Sequence, residues 1–162
     1  MKQLVLLLLA FFTSAVCAQG KPMSAPKSEC ESLMNSALPF AEQMLAKHGE
    51  FFPYGQALTA DGKVVDVGAY DGREKPPSED LIRLLKQAFA KGGRSGKYRA
   101  TALVYDVRVT LPSSGIKSDA IAVSLNHRDN YSVVMFFAYS LQDGKYLPGE
   151  VFAQQGENDV FK

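Results

Sequence analysis

Two Asp-Gly pairs, each flanked by residues that alternate between apolar and polar, constrain the fold of this chain more than any other feature. They are Asp61-Gly62 and Asp143-Gly144. Both residues of such a pair tolerate the positive φ values of a two-residue type I′ turn, so each pair predicts a β-hairpin. A hairpin joins neighbouring antiparallel strands, and the chain is therefore predicted to contain an antiparallel sheet.

The alternating pattern extends this sheet to about six strands. Each predicted strand is rich in β-branched and aromatic residues and is bounded by turn-forming residues. The strands are predicted over residues 55–60, 63–70, 98–110, 119–127, 131–141 and 150–154. Pro148 confines the last strand to an edge of the sheet or to a late start, because proline cannot donate to the hydrogen-bond ladder.

Two stretches with helical periodicity complete the pattern. The first is predicted to begin with a capping box formed by Ser28 and Glu31 and to end near Gly49. Its apolar stripe consists of Leu33, Ala37, Phe40 and Met44. Pro39 lies inside this stripe and is predicted to kink the helix or to split it in two, because proline removes a backbone hydrogen bond.

The second helix is predicted to run from a Ser78 cap to Gly92-Gly93, with acidic residues in its first turn that complement the helix dipole. The predicted order is therefore α-ββ-α-ββββ. It indicates an α+β domain in two layers, an antiparallel sheet of about six strands with both helices on one face. Profilin-like proteins have a similar order of elements, but this analogy concerns shape alone and implies nothing about activity.

One domain is predicted over residues 28–155, between a flexible lead-in at 19–27 and a loose tail at 156–162. Residues 1–18 carry the features of a bacterial secretory signal: a charge at Lys2, a nine-residue apolar run and small residues up to Ala18. Cleavage after Ala18 would make the protein periplasmic or secreted. A lipoprotein signal acylated on Cys17 and a retained anchor are the alternatives.

Cleavage leaves a chain without net charge. Removing 18 of the 162 residues leaves 144, and the loss of Lys2 leaves 17 cations against 17 acidic residues. The mature chain therefore lacks the electrostatic signature of a nucleic-acid binder and the polybasic patch of a lipid binder. Its only cysteine is Cys30, interpreted either as a buried residue or as a reactive or intermolecularly bridged thiol.

Motifs for metals, cofactors and phosphates do not emerge from the sequence. The mature chain has two histidines, His48 and His127, and neither lies in a HExxH pattern. The spacing of Asp61, Asp66 and Asp71 matches no EF-hand loop. The glycine-rich stretch 91–97 follows a helix, whereas a phosphate-binding loop precedes one. No cofactor and no metal site are predicted.

His127 is the best general base that the sequence offers. A small hydrolase would pair it with Asp106 or Asp119, which both lie in predicted strands. The alternative interpretation is a partly buried histidine at a strand end, bonded to a neighbour. Asp106 and Arg108 share a face of their strand and serve either as a salt-linked polar surface or as an anchor for a partner.

Aromatic and apolar residues are abundant in the strands, and residues 133–139 are apolar on both faces. Either this stretch is a central strand whose back is covered by the lead-in, or it packs against another molecule. Tyrosine-rich sheet surfaces suit protein recognition. The residues predicted to bind a partner are Tyr105, Asp106, Arg108, His127, Arg128 and Tyr131.

Four stretches in order, at residues 51–55, 69–72, 105–109 and 119–127, resemble a family of small bacterial secreted proteins with no assigned activity. No site residue follows from this resemblance. The favoured function is a non-catalytic protein-binding module of inhibitor or immunity type, whose partner is a toxin, an effector or a second copy of the chain. A small hydrolase using His127 and a small-ligand carrier with a cavity between helices and sheet are the alternatives.

Overall fold

Six antiparallel strands form one sheet in the computed structural model, which describes residues 25–162. The predicted signal at 1–18 and residues 19–24 of the predicted flexible lead-in lie outside the described residues, whereas residues 25–27 of that lead-in belong to the first helix. The elements are α1 Ala25–His48, β1 Tyr54–Thr59, β2 Val64–Val67, α2 Ser78–Arg94, β3 Tyr98–Thr110, β4 Lys117–His127, β5 Tyr131–Gln142 and β6 Lys145–Gln155. The strand order is β2-β1-β3-β4-β5-β6, which confirms the predicted α+β class and element order.

The two Asp-Gly pairs form both hairpins, but by different turns. Asp143 and Gly144 have φ values of 51° and 74°, as a type I′ turn requires. At the first hairpin only Gly62 has a positive φ, of 86°, and its amide donates to the Thr59 carbonyl at 3.0 Å. This loop is therefore longer than the predicted two residues, with glycine in the left-handed position.

Helix boundaries differ from the predicted caps. α1 begins at Ala25, upstream of the expected capping box, and Ser28 donates its hydroxyl to the Ala25 carbonyl at 3.2 Å. α2 begins at Ser78 without a side-chain cap and continues through Gly92 to Arg94. Neither of these helices has the length and apolar character needed to cross a membrane.

Pro39 does not divide α1, which is one helix from end to end. The Tyr54 hydroxyl inserts beside the proline: it donates to the Ala37 carbonyl at 2.7 Å and accepts from the Ala41 amide at 3.2 Å. A side chain inserted between a carbonyl and the amide four residues later satisfies both groups. The contact ties the middle of α1 to the first residue of β1.

The helices pack on opposite faces of the sheet, not both on one face as predicted. Ala102 and Val104 of β3 pack against α1, whereas Leu103 between them packs against Leu85 and Phe89 of α2. The reason lies in β3, whose first half is buried on both sides and so requires cover on both. The prediction of a helix-covered face holds for α1, and α2 adds a partial third layer.

The C-terminal segment, residues 156–162, packs against the domain and is not the loose tail that the sequence suggested. Val160 is only 4% exposed and joins the core beneath α2. The Asn158 amide donates to the Ser132 hydroxyl at 3.1 Å, and Lys86 of α2 pairs with Asp159 at 2.8 Å. Val160, an apolar residue near the end of a polar tail, is the sequence feature that indicates this packing.

Candidate functional site

The structure separates the six residues predicted to bind a partner into three groups. Tyr105 lies on the α2 side of β3, and its neighbours Asp106 and Arg108 lie on the α1 side. The other three lie at the opposite end of the sheet, around the β4–β5 turn: His127, Arg128 and Tyr131. The predicted residues therefore do not form one surface.

His127 is 2% exposed, and both of its ring nitrogens are engaged. Its Nδ1 accepts the Asp129 backbone amide at 3.0 Å. Because that amide can only donate, the ring proton sits on Nε2, which donates to the Glu29 carboxylate at 3.0 Å. Arg99 holds the other oxygen of Glu29 at 2.9 Å. His127 thus joins α1 to β3 and β4 and has no free lone pair for general base catalysis.

The acids predicted to assist His127 lie far from it. Asp106 is opposite Ile121 on β4, six residues from His127, and Asp119 is eight residues away. At about 3.3 Å per residue these separations are roughly 20 and 26 Å. Asp119 instead forms a cross-strand ion pair with Arg108, at 3.2 Å. The geometry does not assemble the catalytic pair that a hydrolase would need.

Asp106 has a structural partner of its own. The Tyr139 hydroxyl donates to the Asp106 carboxylate at 2.9 Å. Asp106 as a whole is exposed, but partial desolvation of its carboxyl raises its pKa above the usual range, and the negative charge of Asp119 adds to this effect. Burial, followed by the bond to Asp106, also raises the pKa of Tyr139. The hydrogen bond itself stabilises Asp106 as a carboxylate and Tyr139 as a neutral phenol.

Cys30 is fully buried on the inner side of α1, in the core. Burial raises the pKa of its thiol to about 12, and the negative charges of Glu29 and Glu31 contribute to the shift. The thiol therefore stays protonated at neutral pH, which supports the structural interpretation of this cysteine over the reactive one. Among residues 25–162, no group of three His, Cys, Asp or Glu side chains is placed to hold a metal ion.

On the α2 side of the sheet, an apolar surface that no helix covers extends from the second half of β3 across β4, β5 and β6, because α2 packs on β1 and the first half of β3. We call this surface the open face. It consists of five partly exposed side chains, Tyr105, Val107, Val109, Val134 and Phe152, packed against three buried ones, Ala120, Ala122 and Phe136. Phe136 and Phe152 stack with ring centroids 5.0 Å apart. On this side of the sheet, the side chains of β3 after Leu103 and those of β4 and β5 are all uncharged.

A cleft of about 390 Å³ lies where the open face meets α2 and the C-terminal segment. Tyr105, Ser124 and Phe136 line its floor, and Lys86 and Asp159 line its wall. Desolvation is the main influence that raises the pKa of Tyr105. Sequence reasoning identified Tyr105 but missed this wall, because residues 156–162 were expected to be loose.

Comparison of the chain with protein-family models, with curated proteins and with solved structures finds no match. The resemblance to small bacterial secreted proteins therefore stays a prediction.

Proposed function

We propose that this protein is a non-catalytic module that binds another protein through the open face. The observation that carries the proposal is a half of a sheet face that no helix covers and whose side chains on β3, β4 and β5 are uncharged, in a domain whose reactive side chains are engaged. His127 has both nitrogens bonded, Cys30 is buried, and Asp106 is bonded to Tyr139. The partly exposed side chains of the open face remain available for contact with a partner.

Physical features of the open face support this role. Its aromatic side chains offer large area at small entropic cost, and aromatic residues are enriched among the anchors of protein interfaces. No charge on the floor needs to be desolvated when a partner docks. The strand spacing gives a floor of roughly 400 Å², so a stable complex of about 800 Å² per partner also requires contacts from α2 and the C-terminal segment.

An inhibitor or immunity-type protein fits this picture, because such proteins act by occupying a surface of a toxin or an effector. The predicted signal at residues 1–18 places the proposed encounter in the periplasm or outside the cell. A second copy of the chain is the other proposed partner. The neutral mature chain supports neither nucleic acid nor an anionic membrane as the target.

The experiment begins with the mature chain as bait in extracts of the cells that produce it, followed by calorimetry with the purified partner. Tyr105→Ala and Phe152→Ala should each weaken binding by at least about thirtyfold, equivalent to the 2 kcal/mol of an interface hot spot. Arg108→Ala and Arg128→Ala are matched controls, exposed and away from the open face, and should leave affinity unchanged. Circular dichroism verifies folding of each variant.

Two outcomes would contradict the proposal. If the control arginines reduce affinity and Tyr105→Ala does not, the partner binds elsewhere. If the purified chain turns over a substrate, the module is catalytic. Analytical ultracentrifugation of the mature chain alone tests the second-copy alternative, since self-association through the open face should weaken in Phe152→Ala.

A small-ligand carrier is the second candidate, and the cleft beside Tyr105 is the observation that favours it. Its volume of about 390 Å³ falls within the range of small-molecule sites. Native mass spectrometry of the mature chain should then reveal a copurified mass that is lost in Phe136→Ala. A spectrum of the bare polypeptide from several expression hosts would count against this function.

A further inference from the structure

A second groove lies on the α1 side of the sheet, where α1 leaves the β1–β2 hairpin uncovered. Its volume is about 420 Å³, and its lining includes Phe40, Tyr54, Gln56, Asp66, Val67 and Gly68. Asp66 is the one charged side chain among these lining residues. The groove is on the opposite side of the sheet from the open face and is independent of the function proposed above.

The polar wall of this groove contains an unsatisfied acceptor. Gln56 and Asp66 are directly opposite each other on β1 and β2, and Gln56 Nε2 donates to the Asp66 carboxylate at 2.9 Å. Because a carboxylate only accepts, the Gln56 amide cannot be turned the other way. Gln56 Oε1 is buried and has no hydrogen-bond partner in the described structure. A buried acceptor without a partner is costly, and a turn of the Gln56 side chain that brings Oε1 to the donor of a ligand would relieve that cost.

Two aromatic rings form the apolar wall. Phe40 and Tyr54 meet edge to face, with centroids 5.0 Å apart and an interplanar angle of 86°. The Tyr54 ring is held in place by the bonds of its hydroxyl to Ala37 and Ala41. Phe40 is 49% exposed, so part of its ring is accessible to a ligand. The faces of such rings carry negative charge density and attract cations.

The electrostatic environment is negative as well. Burial is the main influence that raises the pKa of Tyr54, and the negative charges of Glu42 and Asp66 raise it further. A carboxylate, a free carbonyl oxygen and ring faces are all groups that stabilise a positive charge. The side chains that line this groove include no cation to hold an anion, and their donors, the Gln56 amide and the Tyr54 hydroxyl, already donate to Asp66 and to the Ala37 carbonyl.

We propose that the groove binds a protonated amine carried on an apolar chain. The ammonium group donates to the Asp66 carboxylate and, after a turn of the Gln56 side chain, to Gln56 Oε1, while its methylene chain packs along the Phe40 and Tyr54 rings. An ammonium group has three donors, which suits two neighbouring acceptors. The same chemistry is offered by a free alkylamine and by a lysine side chain of a bound protein.

The test is a titration of the ¹⁵N-labelled mature chain with n-butylammonium, followed by amide chemical shifts. Saturable shifts are expected at the Gln56 side-chain amide and along residues 54–68. n-Butanol has the same chain without the charge and should bind at least about tenfold more weakly, the ratio that corresponds to 1.4 kcal/mol. Similar responses to the two probes would overturn the proposal.

Variants make the test specific. Asp66→Asn keeps an acceptor for Gln56 but removes the charge, and it should weaken butylammonium binding about tenfold. Phe40→Ala, at an exposed position, should weaken it about two- to fivefold, because it removes part of the apolar wall along which the methylene chain packs. Asp143→Asn removes the same charge from the other hairpin and should change nothing. Unchanged affinity in Asp66→Asn would also overturn the proposal.

Two further probes distinguish the sources of the amine. Nα-acetyl-lysine methylamide represents a lysine in a protein, and putrescine represents a free small amine. Tighter binding of the lysine probe assigns the groove to a peptide or protein partner, and tighter binding of putrescine assigns it to a free amine. Equal binding of the lysine probe and its Nε-acetylated form would contradict a site for a positive charge.

Discussion

The two faces of the sheet are covered in different ways. On one face α1 contacts β1 and β3 to β6, and several polar side chains beneath or beside it are hydrogen-bonded, among them Tyr54, His127 and Tyr139. On the other face α2 packs on β1 and β3, and the remaining strands carry the open face. The face under the long helix is therefore covered across most of the sheet, and the half-covered face carries the surface through which we propose binding.

Close packing, not polar bonding, attaches α2 to its face. A Cβ atom on Gly55 would lie 2.3 Å from the Phe89 ring, and one on Gly92 would lie 2.2 Å from Tyr98. Only glycine allows these approaches of a ring to the backbone. The α2 side thus depends on a few apolar contacts, whereas the α1 side combines apolar contacts with specific hydrogen bonds.

The largest effect should come from the anchor of α2. Phe89→Ala removes a buried ring and should lower the free energy of unfolding by about 3–5 kcal/mol. Urea denaturation measures this change. Gln87→Ala, exposed on the same helix, should stay within about 0.5 kcal/mol. A loss below 1 kcal/mol in Phe89→Ala would mean that α2 is held by something other than this contact.

A smaller loss is expected from the polar network on the α1 side. Glu29→Ala leaves His127 without the acceptor for its Nε2 proton and leaves Arg99 unpaired, at a cost of about 2 kcal/mol. Glu31→Ala, which breaks only the exposed pair with Lys27 at 3.7 Å, should cost less than about 0.5 kcal/mol. Equal losses in the two variants would show that the Glu29 network contributes no more than a surface ion pair.

The smallest effect concerns Asp106. Its folded pKa is raised, so the folded state holds the proton more tightly than the unfolded chain. This pKa difference therefore adds to the free energy of unfolding at low pH, and the added stability is lost as the pH rises through the folded pKa. Asp106→Asn removes the titration while it keeps an acceptor for Tyr139.

The free energy of unfolding of Asp106→Asn, relative to that of the parent chain, should consequently be higher at pH 7 than at pH 3. The measurement is the free energy of unfolding in urea at both values. A constant difference would show that the carboxyl titrates alike in the folded and unfolded chain.

Local sequence signals predicted the elements well and the site only in part. The strand alternation and the Asp-Gly pairs describe short-range backbone preferences, so the six strands and two helices were recoverable. Tyr105 was found because aromatic residues stand out in a strand. The wall formed by Lys86 and Asp159 was missed, because these residues lie 73 positions apart and meet only when the C-terminal segment packs.

The side of the sheet on which each helix lies is a different kind of information. β3 is apolar on both faces in its first half, which indicates that both need cover but not which helix covers which. The sequence likewise allows His127 to be a general base or a hydrogen-bonded structural residue. The choice depends on its contact with Glu29, which lies 98 positions away in the chain.

The hairpins, the helices, their order and the neutral charge of the predicted mature chain follow from the sequence, since each depends on residue types and near neighbours. The placement of the helices on opposite faces, the separation of the predicted site residues, the open face and the groove beside Phe40 became apparent only in the folded domain. These features depend on contacts between residues distant in the chain. Such contacts are chosen by the packing of the whole domain, which no local pattern encodes.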